Sequence, residues 1–121
     1  MAAKKSVLAK PEAELRKIGM SFPETTEDFP WGHRALKVKG KAFVFMSLEE
    51  DVLSLSVKLP DSADFALMQP FAAPTGYGLG KSGWVTASFH KKDKVPVELL
   101  RNWIRESYLA IAPKKLAASL R

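Results

Sequence analysis

The chain has 121 residues, 46% hydrophobic and 26% charged, with a formal net charge of +6 and no cysteine. This balance excludes a disordered or fibrous polymer, and the lack of thiols excludes disulfides, thiolate catalysis and zinc–thiolate sites. No apolar run approaches the ~20 residues of a membrane span, and the basic start MAAKKSVLAK has no apolar secretion segment, so a single cytoplasmic domain over residues 1–121 is expected.

Residues 1–10 read as a flexible arm. Pro11 suits the first turn of a helix, Leu15 and Ile18 give that helix an apolar stripe, and Gly19 and Pro23 are expected to end it. SFPETTEDFPWGHRA, Ser21 to Ala35, reads as an acidic loop. Its prolines at 23 and 30 break regular structure, and Phe22, Phe29 and Trp31 are expected to tuck into the core edge.

Three strands are predicted next. Arg34 to Val38 and Lys41 to Leu48 flank Lys39-Gly40, a two-residue hairpin turn. Asp51 to Lys58 alternates Leu53, Leu55 and Val57 with Ser54, Ser56 and Lys58, which gives one buried and one wet face. Glu49-Glu50 is the expected turn between these strands. LPDSADFALMQPF supplies a short helix, capped by Asp61 or Ser62, with Phe65 and Met68 inward and Pro70 as its stop.

TGYGLGKSGW, Thr75 to Trp84, contains a G-x-G-x-x-G match and a Gly-Lys-Ser triplet. Nucleotide loops of that kind run into a helix, whose N-terminus holds the phosphate. Here the run continues into Trp84-Val85-Thr86-Ala87-Ser88-Phe89, which is strand material. A hairpin loop is therefore the better reading. Lys91-Lys92-Asp93-Lys94 is a charged connector. Pro96 opens the longest helix, with Leu99, Leu100, Trp103, Ile104, Tyr108 and Ile111 on one broad face, and Pro113 starts a last turn. The order α-β-β-β-α-β-β-α implies an α+β two-layer sandwich. Its mostly antiparallel sheet of about five strands carries helices on one face.

His33 and His90 lack metal-ligand spacing, and no serine stands in a G-x-S-x-G elbow. No catalytic residue, metal or cofactor is expected. The charge is more telling. Residues 1–80 hold ten basic and ten acidic side chains, whereas residues 81–121 hold nine basic and three acidic. Basic residues also gather near turn tips: Lys37, Lys39 and Lys41 around Gly40, Lys81 in the glycine loop, and Lys91, Lys92 and Lys94 after the last strand. Such lysines suit phosphate contacts, and equally suit protection of sheet edges. Separately, Ser54, Ser56 and Lys58 share one parity, as do Trp84, Thr86, Ser88 and His90. On one uncovered sheet face they would form a polar platform with a tryptophan.

FPWGHRALKVKGKAFVFM, SLSVKLP, GYGLGKSGWVTASF and LLRNWIRESYLAIAPKKL, taken in order, resemble the MmcQ/YjbR family from about Leu15 to Leu116. The most specific elements are Trp31-Gly32-His33, the Gly40-Lys41 turn, Tyr77 ahead of Trp84, and Ser107-Tyr108. The resemblance implies a small α+β protein arranged like secretion-chaperone and frataxin-like folds. It also implies DNA binding through a "double wing" whose tips here are Lys39-Gly40-Lys41 and Gly78 to Gly83 with Lys81. Low sequence specificity is expected, because few arginines stand where they could fork onto guanine. The alternative is a non-enzymatic protein- or ligand-interaction module, or a homodimer, using the face of Ser54, Ser56, Trp84, Thr86 and Ser88.

Overall fold

A computed structural model describes residues 7–29, 33–76 and 78–120. Helix α1 (Ala9–Met20) precedes four strands, β1 (Thr25–Asp28), β2 (Arg34–Val38), β3 (Lys41–Glu49) and β4 (Val52–Lys58). A short helix α2 (Ala63–Ala66), strand β5 (Ala72–Pro74), a 3₁₀ turn (Leu79–Ser82) and strand β6 (Trp84–His90) follow. Helices α3 (Val97–Ile111) and α4 (Lys114–Ala118) close the chain. The sheet order is β1-β2-β3-β4-β6-β5, and each neighbouring pair is antiparallel. The expected α+β sandwich is therefore present, with six strands in place of about five.

The additional strand is β1, inside the stretch read as a loop. Thr25 pairs with Val38 and Asp28 with Ala35. Its run Thr-Thr-Glu-Asp lacks alternating apolar residues because it is an edge strand, and its inward-pointing Glu27 meets arginines instead of core. Phe22 does reach the core edge, stacking on Tyr108 at 4.8 Å. Phe29 is exposed and instead lies under the Arg34 guanidinium. The expectation for Trp31 falls outside the described residues. So do the first six positions of the predicted arm; Leu8, however, is buried, and α1 already begins at Ala9.

The hairpin turn Lys39-Gly40 has both φ angles positive, at 51° and 80°, the conformation that matches strand twist in a two-residue loop. The β3–β4 turn is shifted by one residue from expectation. Its centre is Glu50-Asp51, also at positive φ, because Glu49 still pairs with Val52. Gly19 does not end α1. A Cβ there would meet Leu36 Cδ1 at 2.3 Å, so the missing side chain lets the helix lie directly on β2.

On the helix-covered face of the sheet, Leu36, Val44, Met46, Leu53, Leu55, Val57, Val85, Ala87 and Phe89 are buried. Against them α3 presents Leu100, Trp103, Ile104, Ser107 and Tyr108, spaced three or four apart along one stripe. Ser107 is the only polar residue among the described ones that is fully buried. Strand β3 carries one extra residue there: Leu36 pairs with Val44 but Lys37 with Ala42, leaving Phe43 as a bulge. Ser107 Oγ donates to the Phe43 carbonyl at 2.5 Å and accepts from the Lys58 N–H at 2.9 Å. One hydroxyl thus satisfies both backbone groups where the β3–β4 ladder opens.

The residues on either side of it fasten two further segments. Glu106 accepts from the N–H groups of Asp61 and Ser62 and from Ser62 Oγ, all within 3.1 Å. The start of α2 is therefore capped from α3, while neither Asp61 nor Ser62 caps it by its own side chain. Tyr108 Oη donates to Pro23 O at 2.8 Å, and burial pushes its phenol pKa upward. The core-facing positions of α2 are taken by Ala66, which is buried, and Ala63 beside it, so Phe65 and Met68 are 76% and 77% exposed, contrary to the inward placement expected of them.

Replacing Ser107 with alanine should strand both the Phe43 carbonyl and the Lys58 N–H away from water. A loss of about 2 kcal/mol or more is expected. Urea unfolding should show a lowered midpoint with an unchanged slope.

Candidate functional site

Strand direction sorts the basic residues into two groups. Lys58 pairs with Trp84, and Val38 with Lys41, so these lie at one end of the sheet. Glu49 pairs with Val52, and Val52 with His90, so these lie at the other. The Lys39-Gly40-Lys41 turn and the loop carrying Lys81 both belong to the Lys58 end. Lys91, Lys92 and Lys94 follow His90 and belong to the opposite end. The full set of predicted cations therefore does not converge. The reason is topological: the connector leaves β6 after seven residues, one strand length away from the glycine loop.

Several of these cations are also partnered. Lys39 Nζ lies 2.5 Å from Glu24, Lys37 Nζ 3.1 Å from Asp28, and Lys91 Nζ 3.6 Å from Asp51. Asp28 is held below the usual carboxylate range by the Lys37 hydrogen bond and then by the Phe29 N–H. Lys41 and Lys81 are exposed and make no ion pair among the described residues, and the same holds for Lys92 and Lys94. At the Lys58 end, the β2–β3 turn and the β5–β6 loop are separated by three strand intervals, about 14 Å at the usual strand spacing.

The glycine loop is wound into itself. The N–H groups of Leu79, Gly80, Lys81 and Gly83 donate to Gly76, Thr75, Gly78 and Gly80 carbonyls respectively, at 3.0–3.3 Å. Those donors are consumed, so the loop is not a ready-made phosphate cradle. It leads into a strand, as the residues after it predict. Gly83, at φ +88°, lies so close to Leu59 O that a Cβ would sit 3.3 Å from it. That contact is where the loop is pinned to the end of β4, by Leu59 N–H donating to Gly83 O at 2.8 Å.

The sheet face turned away from α1 and α3 carries the second predicted set. Register brings Ser54 opposite Ser88, Ser56 opposite Thr86, and Lys58 opposite Trp84, so the two parity sets do share one face. Ser56 Oγ and Thr86 Oγ1 are 2.7 Å apart, and Thr86 Oγ1 and Thr75 Oγ1 2.9 Å. From β3 the same face receives Phe45, Ser47 and Glu49. Trp84 is 8% exposed, with its ring 5.5 Å from Phe45. The polar platform therefore has its tryptophan as a nearly buried wall, packed on Phe45. Sequence reading missed Glu49, which was assigned to a turn, and Thr75, whose place in a glycine-rich run gave no signal.

The strongest electrostatic cluster lies on the helix side. Glu27 accepts from Arg16 Nε at 2.7 Å and Arg16 Nη2 at 2.9 Å, and also from Arg34. The Arg16 hydrogen bond is the largest influence holding the Glu27 carboxyl at about 2; burial opposes it and Arg34 adds to it. The carboxylate joins α1 to β1 and β2, so the cluster is read as a clasp of the fold. Among the described residues, no group of three or more His, Asp or Glu side chains could hold a metal ion, and no helix is long and apolar enough to cross a membrane.

A six-stranded antiparallel sheet with helices on one face and two glycine-containing turns at one end is the architecture of a small α+β domain. The YjbR family profile matches residues 20–110, and the chain belongs to the YjbR family. It is also similar to the crystal structure of Deinococcus radiodurans protein DR2400, described by the family domain DUF419. The two are 30% identical over 86% of this chain and 80% of that one, with a TM-score of 0.70. No curated protein matches the chain. The matched segment spans every strand, both turns and nearly all of α3.

Because the folded pKa of Glu27 is depressed, its contribution is present above the ordinary glutamate range and lost as pH falls toward about 2. Stability measured by thermal unfolding should therefore decline over that interval. Glu27→Gln should lower stability at neutral pH and flatten this acid limb.

Proposed function

We propose that this protein binds nucleic acid through the turn tips at the Lys58 end, as a module without catalytic activity. The observation that carries the reading is the common exit of two lysine-bearing turns from one end of the sheet, about 14 Å apart by strand spacing. That separation is close to the width of a duplex major groove, about 12 Å. Lys41 and Lys81 extend into solvent from these tips, and Lys39 exchanges its Glu24 partner for a phosphate at little cost, since both side chains of that pair are half exposed. The double-wing reading implied by the MmcQ/YjbR resemblance points to the same two turns.

Contact of this kind is electrostatic. Lysine ammonium groups displace counterions from phosphates and carry no base-specific pattern. Lys91, Lys92 and Lys94, at the other end, take no part in a single contact of this kind.

Fluorescence anisotropy with a labelled duplex tests the proposal. Affinity should fall steeply between low and physiological salt. Replacing Lys39, Lys41 and Lys81 together with alanine should reduce the salt slope by about 2–3, at ~0.9 per phosphate contact. Replacing Lys92 and Lys94 should leave it unchanged. Absence of binding at low salt, or an equal effect from the Lys92/Lys94 pair, removes the proposal.

A further inference from the structure

We infer that the open sheet face is the seat of a second copy of this chain, docked with its strands reversed about a two-fold axis over the Met46–Leu55–Ala87 row. This inference is independent of the nucleic-acid reading, since it uses the face of the sheet and not the turn tips.

The argument begins with register. Met46 pairs with Leu55, and Leu55 with Ala87. On one side of that row stand Ser54 and Ser88, and on the other Ser56 and Thr86. A half-turn about an axis running across the strands exchanges these two rows. Hydroxyl then lies over hydroxyl on both β4 and β6, and on β3 the large Phe45 lies over the short Ser47 of the second copy. A patch that maps onto itself under a two-fold rotation is what an isologous contact requires. The serines and threonine of β4 and β6 leave room for two sheets to approach to about 10 Å.

Polar satisfaction favours the same arrangement. Ser56, Thr86 and Thr75 already bond to one another, so covering them strands few groups. Ser54 and Ser88 make no side-chain hydrogen bond among the described residues. In the docked pair they face Ser56 and Thr86 of the second copy.

Charge decides the direction. Lys37 and Asp28 neutralise each other within this face. That leaves Lys58 at one end, without an ion pair among the described residues, and Glu49 at the other, 66% exposed and 3.8 Å from His33. With strands running the same way, Lys58 would stand over Lys58. With strands reversed, each Lys58 stands over Val52 of the second copy, whose strand neighbour is Glu49. A lysine side chain spans the one-strand offset of about 5 Å. The contact thus forms two equivalent Lys58–Glu49 pairs.

The test is a charge swap read by sedimentation equilibrium on the full chain across a concentration series. The wild type should reach a doubled mass, and Lys58→Glu and Glu49→Lys should each weaken association at least tenfold. Mixing these two variants should restore the doubled mass, because the mixed pair carries opposite charges at both contacts. The variant holding both substitutions should restore it alone. Far-UV circular dichroism confirms that each variant is folded, and Ser54→Arg, which inserts a bulky side chain at the centre, supplies a second disruption. A wild type that stays monomeric at every concentration overturns the inference. So does a doubled mass indifferent to both single charge reversals, or one that neither mixing nor the double substitution restores.

Discussion

The Ser107 hydroxyl stands where the sheet would otherwise come apart. Phe43 bulges from β3, the β3–β4 ladder ends beside it, and a carbonyl and an N–H are left facing a dry interior. Ser107 takes both. An apolar residue at this position would leave two buried backbone groups unpaired, a cost comparable to a sizeable part of a small domain's net stability. Glu106 and Tyr108 extend the same helix turn to the α2 start and to Pro23. Three consecutive residues, fanned about 100° apart by helix geometry, thus hold three irregular segments. These bonds give Ser107-Tyr108 a structural role without assigning it any chemistry.

That fastening organises the outer surfaces. With α3 anchored at the bulge, both principal helices lie on one side, and the other side of the sheet carries the hydroxyl residues of β4 and β6 beside the Phe45–Trp84 pair. The Leu59–Gly83 bond then draws the glycine loop against the end of β4, at the same end of the sheet as the β2–β3 turn. The two surfaces are distinct: a cationic rim made of turn tips, and a face of serine and threonine walled by Phe45 and Trp84, with Lys58 at one end and Glu49 at the other. Local carboxylates temper the net charge of +6, so its effect depends on which lysines remain unpaired.

Alternation carried much of the fold in plain view. Leu53, Leu55 and Val57 against Ser54, Ser56 and Lys58 made β4 readable, and the α3 stripe made the longest helix readable, because each pattern matches the period of its element. Edge strand β1 was hidden. Its inward Glu27 is stabilised by Arg16, which lies eleven residues earlier, and no local pattern encodes that pairing. The exposure of Phe65 and Met68 was likewise hidden, because Ala66 takes the core-facing place in α2 and Glu106, 44 residues after Ser62, fixes its start. For the candidate surfaces, the lysines at the turns were legible; which of them meet carboxylates was not.

The sequence alone determined helix α3, strands β2 to β4, the Lys39-Gly40 turn, the strand nature of the run after the glycine loop, and the two parity sets of β4 and β6. These depend on side-chain periodicity and on backbone freedom at single residues, which are local properties. Only the tertiary structure decided that Lys81 shares an end with Lys41 while Lys92 and Lys94 do not, that Trp84 is a wall, and that Glu49 lies on the face of Lys58. Those relations follow from strand order and direction, and strand order is set by contacts between residues far apart in the chain.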